Sequence, residues 1–536
     1  MYKTSLYQAE IESANFPNMQ TLRAKIKDTI VNKLKVTNVN LTEFGFLYES
    51  FDINYRINYI HEKIKKILLT FYPYGENVTK WKQNTSIQSK NTVLRFCDLI
   101  GEELTINELD CLFSRIDIEE SSIIDLSNWK ISLLCSKPKK QFDLLDFFKY
   151  EKVGEFWKKK YDMKEFFHEL FDKNKGIYAE LFNTLPTNNY FYPFSMSYSE
   201  NSDIIKKLKV FLQKFGNFDT IRNSLHSIEF YATLHNKEDS ILLFIEESDS
   251  TQWYNNNRHI FYSNRIPTQL IIGETFLYKS KFPGVRANLL LELLTKMNRK
   301  PLILKMPENV NTTDGFLCLT DLEESKEKLF GALITYSKGI EKNSKIQIYR
   351  DIDYKTYPRK ELIEFPRKEK IDLLAEKISI LAEADLELDI LITKEWKKED
   401  LNRLILELKN KNIIINRVYY ISTKRSRFVD NSIDTITRTT NPYIIISEKT
   451  AFLRSATEIR IYANLPQIYI ELKWPLKEKI QIDDLKKILW LIKKRLYRIQ
   501  EFGILCTPEP LFIFRMFGKY LAKIKEGVVI PLNIIL

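Results

Sequence analysis

Glycine is scarce in this chain, 14 of 536 residues, and neither a Gly/Ser run nor a Pro-rich run marks a flexible linker. Domain boundaries therefore have to be read from changes in pattern. Cysteine is scarcer still: Cys97, Cys111, Cys135, Cys318 and Cys506 are odd in number, widely spaced and never in a C-x-x-C pair, which signals neither a disulfide framework nor a zinc site. The five histidines (His61, His168, His226, His235, His259) include no helical pair, so a histidine-based metal centre is not expected. No stretch approaches the ~20 apolar residues that span a bilayer. The opening MYKTSLYQAE has no apolar core of a secretory signal. The expectation is a cytoplasmic chain with no direct membrane insertion.

What the chain has in excess is positive charge, 82 Lys plus Arg against 70 Asp plus Glu, for a net +12 and a pI near 9.0. That balance favours a polyanionic partner, nucleic acid before membrane. With 44% hydrophobic and 13% aromatic residues the chain can bury sizeable cores. Residues 1 to 195 read as mixed and helix-rich, with apolar residues at three- and four-residue spacing over Ile57 to Phe71 and Phe142 to Leu170. They carry no chemical motif and read as a linker or partner-docking region. From 196 to 305 strands and helices alternate. A helix is predicted over Asp203 to Phe215, with Ser202 as N-cap and Gly216 as stop, strands over Ser240 to Ile245 and Gln269 to Ile272, and a helix over Val285 to Asn298. This is the texture of a small doubly wound α/β unit. From 306 to 536 the predicted order is βββαβαβ, that of an RNase H-like domain. Its strands are Phe316 to Thr320, Leu329 to Tyr336, Lys345 to Arg350, Leu388 to Thr393 and Ile413 to Ile421, with helices over Lys370 to Ala384 and Lys397 to Lys409.

Tyr254 and Arg258 are one helical turn apart, Gln269 follows in a Pro-Thr-Gln turn, and Lys296 sits on the next helix. An aromatic ring, a guanidinium, an amide and an ammonium suit a terminal nucleotide: stacking for the base, charge-assisted hydrogen bonds for the phosphate. Taken singly, each of these residues is commonplace on a protein surface. In this order, YNNNRHIFYSNRIPTQLIIGETF followed by Lys296 resembles the MID domain of Argonaute proteins. The resemblance implies that Tyr254 stacks on the first base of a guide strand while Arg258, at a place usually held by Lys, joins Gln269 and Lys296 in holding its 5′-phosphate. It also implies that the C-terminal carboxylate, here of Leu536, approaches the pocket and helps to hold a divalent cation such as Mg2+.

The βββαβαβ segment resembles the PIWI domain that follows MID in that family. PIWI domains that cut nucleic acid hold two metal ions with carboxylates completed by a further Asp or His. At the end of the first strand the corresponding place falls on Thr320 or Asp321, at the end of the later strand on Lys394 and Glu395, and on the last helix, counted from Pro508 of the P-x-P segment, on Arg515. Cations at these places oppose binding of two divalent ions, so the resemblance implies an inactive nuclease site with no catalytic metal. Asp321, Glu395 and a Glu between 358 and 371 remain an alternative carboxylate set.

Two basic features extend this reading. The predicted helix over Asp483 to Phe502 places Leu485, Ile488, Leu489, Ile492, Leu496 and Ile499 on one stripe and Lys486, Lys487, Lys493, Lys494 and Arg498 on the other. The segment TKRSR contributes Lys424, Arg425 and Arg427. Both are candidate walls of a nucleic-acid channel, and a solvated helix face is an equal reading of the first.

The likeness covers about 196 to 536, with nothing in 1 to 195 that reads as PAZ, so the chain resembles a short prokaryotic Argonaute. That class implies a guide RNA or DNA and its complementary target as partners, together with an effector protein, commonly APAZ-containing and coupled to a TIR, Sir2, nuclease or membrane-active module. The implied role is sensing of invading nucleic acid in antiviral or anti-plasmid defence. Two alternatives stay open: an active guide-dependent endonuclease using the atypical carboxylates, and a guide-independent nucleic-acid-binding scaffold.

Overall fold

The computed structural model describes residues 4–16, 41–42, 45–48, 51–60, 63–73, 114–118, 122–126, 128–133, 140–143, 150–153, 156–159, 188–223, 239–279, 283–298, 302–307, 310, 313–322, 325–337, 340–349, 352–357, 362–382, 385–424, 440–453, 467–495 and 507–535. The chain divides into two units, 1–124 with 423–469 and 125–422 with 470–536. The candidate site lies in the second.

That unit contains a parallel four-stranded sheet built from β1 (Asn189–Phe194), β2 (Gly216–Phe218), β3 (Ser240–Glu246) and β4 (Thr268–Ile272), in the order β2-β1-β3-β4. β3, SILLFIE, is buried at every position, as a strand covered on both faces by crossover elements must be. α1 (Asp203–Leu212) connects β1 to β2 and α2 (Gln252–Ser263) connects β3 to β4, while α3 (Gly273–Lys279) and α4 (Pro283–Lys296) follow β4. α1 turns Ile204, Ile205, Leu208, Phe211 and Leu212 inward at three- and four-residue spacing. Ser202 holds the N-cap position, but its hydroxyl donates to the Ser199 carbonyl (2.7 Å) instead of capping a helical N–H. Gly216 opens β2, where a Cβ would lie 2.1 Å from the Asn189 carbonyl oxygen, so the strands can pair this closely only with glycine there. The expected boundary at 195 falls beyond β1, which is a central strand of this sheet. Strand Lys130–Leu133 likewise pairs with Leu302–Leu304 and with Lys140–Asp143.

A larger sheet follows: β5 (Gly315–Leu322), β6 (Ser325–Ser337), β7 (Ile340–Tyr349), α5 (Lys368–Ala382), β8 (Leu386–Ile392), α6 (Lys398–Asn410) and β9 (Ile413–Lys424). Then come β10 (Gln467–Trp474), α7 (Ile482–Lys493), α8 (Glu509–Leu521), β11 (Val529–Pro531) and α9 (Leu532–Ile535). The order of these seven strands within the sheet is β11-β7-β6-β5-β8-β9-β10. β5, β6 and β7 form an antiparallel meander, while β5, β8 and β9 are parallel. This is the predicted βββαβαβ order, so the mixed α/β class with an RNase H-like half holds. α7 is buried on nearly every side, and the Trp490 indole N–H donates to the Leu304 carbonyl (2.9 Å).

In the first unit the described elements correct the helix-rich expectation. Ile57 to Phe71 is not a helix. Strands Phe51–Ile60 and Lys63–Pro73 pair antiparallel, with Ile60 opposite Lys63, in a sheet that also holds Thr4–Phe16 and Ser114–Ile118. Ile57, Ile60, Ile64 and Ile67 with Tyr59, Thr70 and Phe71 supply β-branched and aromatic side chains that suit a pleated surface, and their preference decides over a spacing that helix and strand share. Of Phe142 to Leu170, Tyr150–Val153 and Phe156–Lys159 form a second antiparallel pair, and most of the remainder lies outside the described residues. Among the described residues before 195, every regular element is a strand.

Candidate nucleic-acid interface

Two of the pocket residues meet at the first residue of β4. The Tyr254 hydroxyl and the Thr268 hydroxyl are 3.0 Å apart, and the Lys296 ammonium donates to the Thr268 carbonyl at 2.6 Å. Arg258, one turn beyond Tyr254 on α2, lies with its guanidinium 4.8 Å from the Tyr254 ring centre. Two rings of α8 enclose it from the other side, Tyr520 at 5.1 Å and Phe517 at 5.5 Å, while the Tyr520 hydroxyl donates to Asn255 (3.3 Å). Burial works against the Arg258 charge. The phenols of Tyr254, Tyr262 and Tyr520 offset it and hold the guanidinium above its ordinary value, whereas burial pushes the Tyr262 phenol far up. Gln269 is adjacent on β4, with its amide donating to the Leu270 carbonyl (3.1 Å) and to Glu292 of α4 (3.3 Å). Its carboxamide oxygen is buried without a hydrogen-bond partner among the described residues. The C-terminal helix reaches this corner, since Asn533 of α9 donates to the Lys296 carbonyl at 2.9 Å; Leu536 itself lies outside the described residues.

Tyr254 does not present an open stacking face. It is 1% exposed in a cluster with Phe194, Leu242, Phe244, Phe261 and Ile266. Its ring centre is 4.7 Å from that of Phe244, and Arg258 lies over the ring. Aromatic burial in the core of the small sheet fixes the ring, so a base would have to displace the guanidinium to stack on it. The neighbouring Trp253, half-buried and stacked on Phe194 at 5.9 Å, is the more accessible ring.

The ends of β5 and β8 hold the residues at the metal-ligand places. Asp321 is ion-paired with Lys394, and the hydroxyls of Thr320 and Thr393 are 2.6 Å apart. Glu395 is bound by Lys473 (2.7 Å), whose ammonium also holds Glu471 (2.8 Å). Each carboxylate of this cluster is thus paired with a lysine. Among the described residues no group of three or more Asp, Glu, His or Cys is arranged to hold a metal ion. Arg515 is exposed on α8.

The basic helix face is not a solvent-facing row. Lys487 is buried against Asp389 (2.8 Å), Lys494 against Glu341 (2.5 Å) and Glu509, and Lys493 is fully buried. Lys486 is partly open, beside Asp483 at 3.0 Å. A helix covered on both sides must neutralise its lysines with acids from neighbouring elements. Arg425, Arg427 and Arg498 lie outside the described residues, as does the side chain of Lys424. Sequence reasoning missed Thr268, Phe517 and Tyr520. Only the aromatic spacing of α8 offered a signal for the last two.

The chain matches no protein-family model and no curated protein. Its fold is similar to that of Clostridium butyricum Argonaute in a structure bound to a guide DNA (5′ deoxycytidine) and a 19-mer target DNA. The TM-score is 0.50 and the identity 14%, over 90% of this chain and 66% of that one. It is also similar to the Argonaute protein from Methanocaldcoccus janaschii, with TM-score 0.46 and 15% identity over 98% of this chain and 74% of that one. The fold is Argonaute-like, and the chain spans about two thirds of the length of the Clostridium butyricum protein. No helix among the described residues is long and apolar enough to cross a membrane.

Proposed function

We propose that this chain is a guide-loaded, catalytically silent sensor of nucleic acid of the short Argonaute kind. The observation that carries the proposal is the convergence of Tyr254 and Lys296 on Thr268, with Arg258 stacked one turn away. Two cations drawn together at the edge of a small parallel sheet form a receptor for a terminal phosphate, with Gln269 beside them. Since Arg258 covers Tyr254, the pocket's first task in this reading is to hold the 5′-phosphate, with base stacking secondary. Base pairing reads the target and the protein holds backbone and end.

A divalent cation fits this corner. The buried carboxamide oxygen of Gln269 is a hard donor without a hydrogen-bond partner among the described residues, and Asn533 of α9 donates to the Lys296 carbonyl beside it. Mg2+ bound there would screen the charge of the 5′-phosphate. Cleavage is not part of the function, because Lys394 and Lys473 neutralise the carboxylates that would have to take up two metal ions. Output then falls to a separate effector protein that the loaded chain recruits or activates when a complementary invader strand pairs with the guide.

The test is purification of the full chain from its native cell, sequencing of the nucleic acid that comes with it, and identification of any accompanying protein. Short strands of uniform length with 5′-phosphates are expected. A preparation that carries none, and that does not prefer a 5′-phosphorylated oligonucleotide to its 5′-hydroxyl form, rejects the proposal.

A further inference from the structure

Arg258 is a charged side chain held by rings and by no acid. Its guanidinium lies 4.8 Å from the Tyr254 ring centre on one side, and 5.1 Å and 5.5 Å from the Tyr520 and Phe517 ring centres on the other. Phe517 and Tyr520 are three apart on α8 and so share one face. Both are buried, and the Tyr520 hydroxyl fastens that face to α2 through Asn255 (3.3 Å). Among the described residues no carboxylate pairs with Arg258, in contrast to Arg403 and Arg417, which Asp372 and Asp484 hold. The Arg258 Nε is buried and has no hydrogen-bond partner among the described residues. A guanidinium stacks through its flat faces and donates from its edge. Here the faces are filled while an edge donor is left without a bond, so what the side chain lacks is an acceptor such as a phosphate oxygen.

We propose that Arg258 is a gate on the pocket: in the empty chain its guanidinium takes the place over the Tyr254 ring that a terminal base would use, and Phe517 and Tyr520 of α8 latch it there. This regulation rests on the pocket reading above. A strand end enters only those molecules in which the guanidinium has left the ring, and their fraction scales the association rate and the apparent affinity together. A 5′-phosphate then gives the freed guanidinium the acceptor that it lacks, so the phosphorylated end holds the gate open. Lysine at this place could not be latched in the same way, because an ammonium is compact, strongly hydrated and without a flat face. Since the latch belongs to α8, the seating of that helix against α2 sets how readily the pocket loads.

The experiment compares the full chain with the double variant Phe517→Leu, Tyr520→Leu, and with Arg258→Lys, which leaves α8 intact should the double variant fold poorly; thermal melts verify folding. Phenylglyoxal, which modifies accessible arginines, is applied without any strand, and the product at Arg258 is followed by mass spectrometry against the exposed Arg515. Arg258 should react much more slowly than Arg515 in the unmodified chain and should be released in the double variant. Stopped-flow fluorescence then follows 5′-phosphorylated and 5′-hydroxyl single strands. Loss of two ring contacts should raise the open fraction, and with it the association rate constant, by about tenfold. The dissociation rate constant and the preference for 5′-phosphate should not change in the double variant, and Arg258→Lys should also associate faster. An Arg258 that reacts as fast as Arg515 in the unmodified chain overturns the gate. So does an unchanged or slower association in both variants, or a double variant altered only in dissociation, which would make the two rings part of the strand contact. A shielded Arg258 that the double variant releases, in a chain with no preference for 5′-phosphate, would instead sink the pocket reading and leave the latch standing.

Discussion

Lys394 closes on Asp321 at the ends of two parallel neighbours, β8 and β5, and leaves the Asp321 side chain only 4% exposed. In the proposed reading this ammonium stands where an active nuclease would hold a metal ion. Lys394→Met strands a nearly buried carboxylate and should cost about 3 kcal/mol in urea unfolding. With a matched guide and target the unmodified chain should make no Mg2+-dependent cut. A defined cut that disappears in Asp321→Asn would show that the site is alive.

Tyr254→Phe removes the hydroxyl that meets Thr268 and keeps the ring beneath Arg258. A loss of about 1 kcal/mol in stability is expected, with little change in strand binding. Tyr254→Ala empties a core position and should cost about 3 to 5 kcal/mol. Equal stabilities for the two variants would contradict the burial of this ring.

Lys296→Met should abolish most of the preference for a 5′-phosphate over a 5′-hydroxyl, while binding to the rest of the strand persists. The readout is the ratio of the two dissociation constants. A uniform weakening of both would favour a guide-independent scaffold.

The pair Asp389–Lys487 joins the centre of β8 to α7, with both side chains almost wholly buried. Asp389→Ala leaves a buried ammonium and should destabilise by about 3 to 5 kcal/mol, whereas Asp389→Leu with Lys487→Met should be close to neutral. Burial pushes the Asp389 carboxyl above its ordinary 3.8, and Lys487 draws it only part of the way back. Between 3.8 and the raised value the folded state binds more protons than the unfolded one, so this group's contribution to stability falls as pH rises through that window. Unfolding followed from about pH 4 upward should show a smaller fall in the double variant.

Lys494 behaves in the opposite range. Burial lowers its affinity for a proton, but Glu341 and Glu509 outweigh burial and hold it above the ordinary 10.5. Its stabilisation is complete below 10.5 and is lost as pH rises through the higher folded value. Unfolding at alkaline pH should therefore depend more steeply on pH in the unmodified chain than in Lys494→Met.

Local pattern carried much of this architecture. The all-apolar run at 240–245 read as a strand because both faces of a parallel strand are covered, and the βββαβαβ order followed from element lengths and periods. Of the four residues that the sequence grouped together, Tyr254 and Lys296 meet at Thr268 and Arg258 lies over the Tyr254 ring. The helix expected over 57–71 failed because spacing alone does not separate a helix from two short strands. The β-branched content was the signal to weigh. For α7, Trp490 and Leu491 lie off the apolar stripe, and a helix apolar on more than one side is a buried helix.

The sequence by itself determined the class of the fold and the βββαβαβ order of its larger half. Only the tertiary structure decided which charges are free. The acids that silence Lys487 and Lys494 lie 98 and 153 residues away in Asp389 and Glu341, and no local pattern encodes a partner at that separation. The same packing encloses Arg258 between rings of α2 and α8, buries Tyr254, and leaves Arg515, Lys519 and Lys523 facing solvent. Burial removes water from one set of cations and requires acid partners for them, whereas the exposed set keeps its hydration.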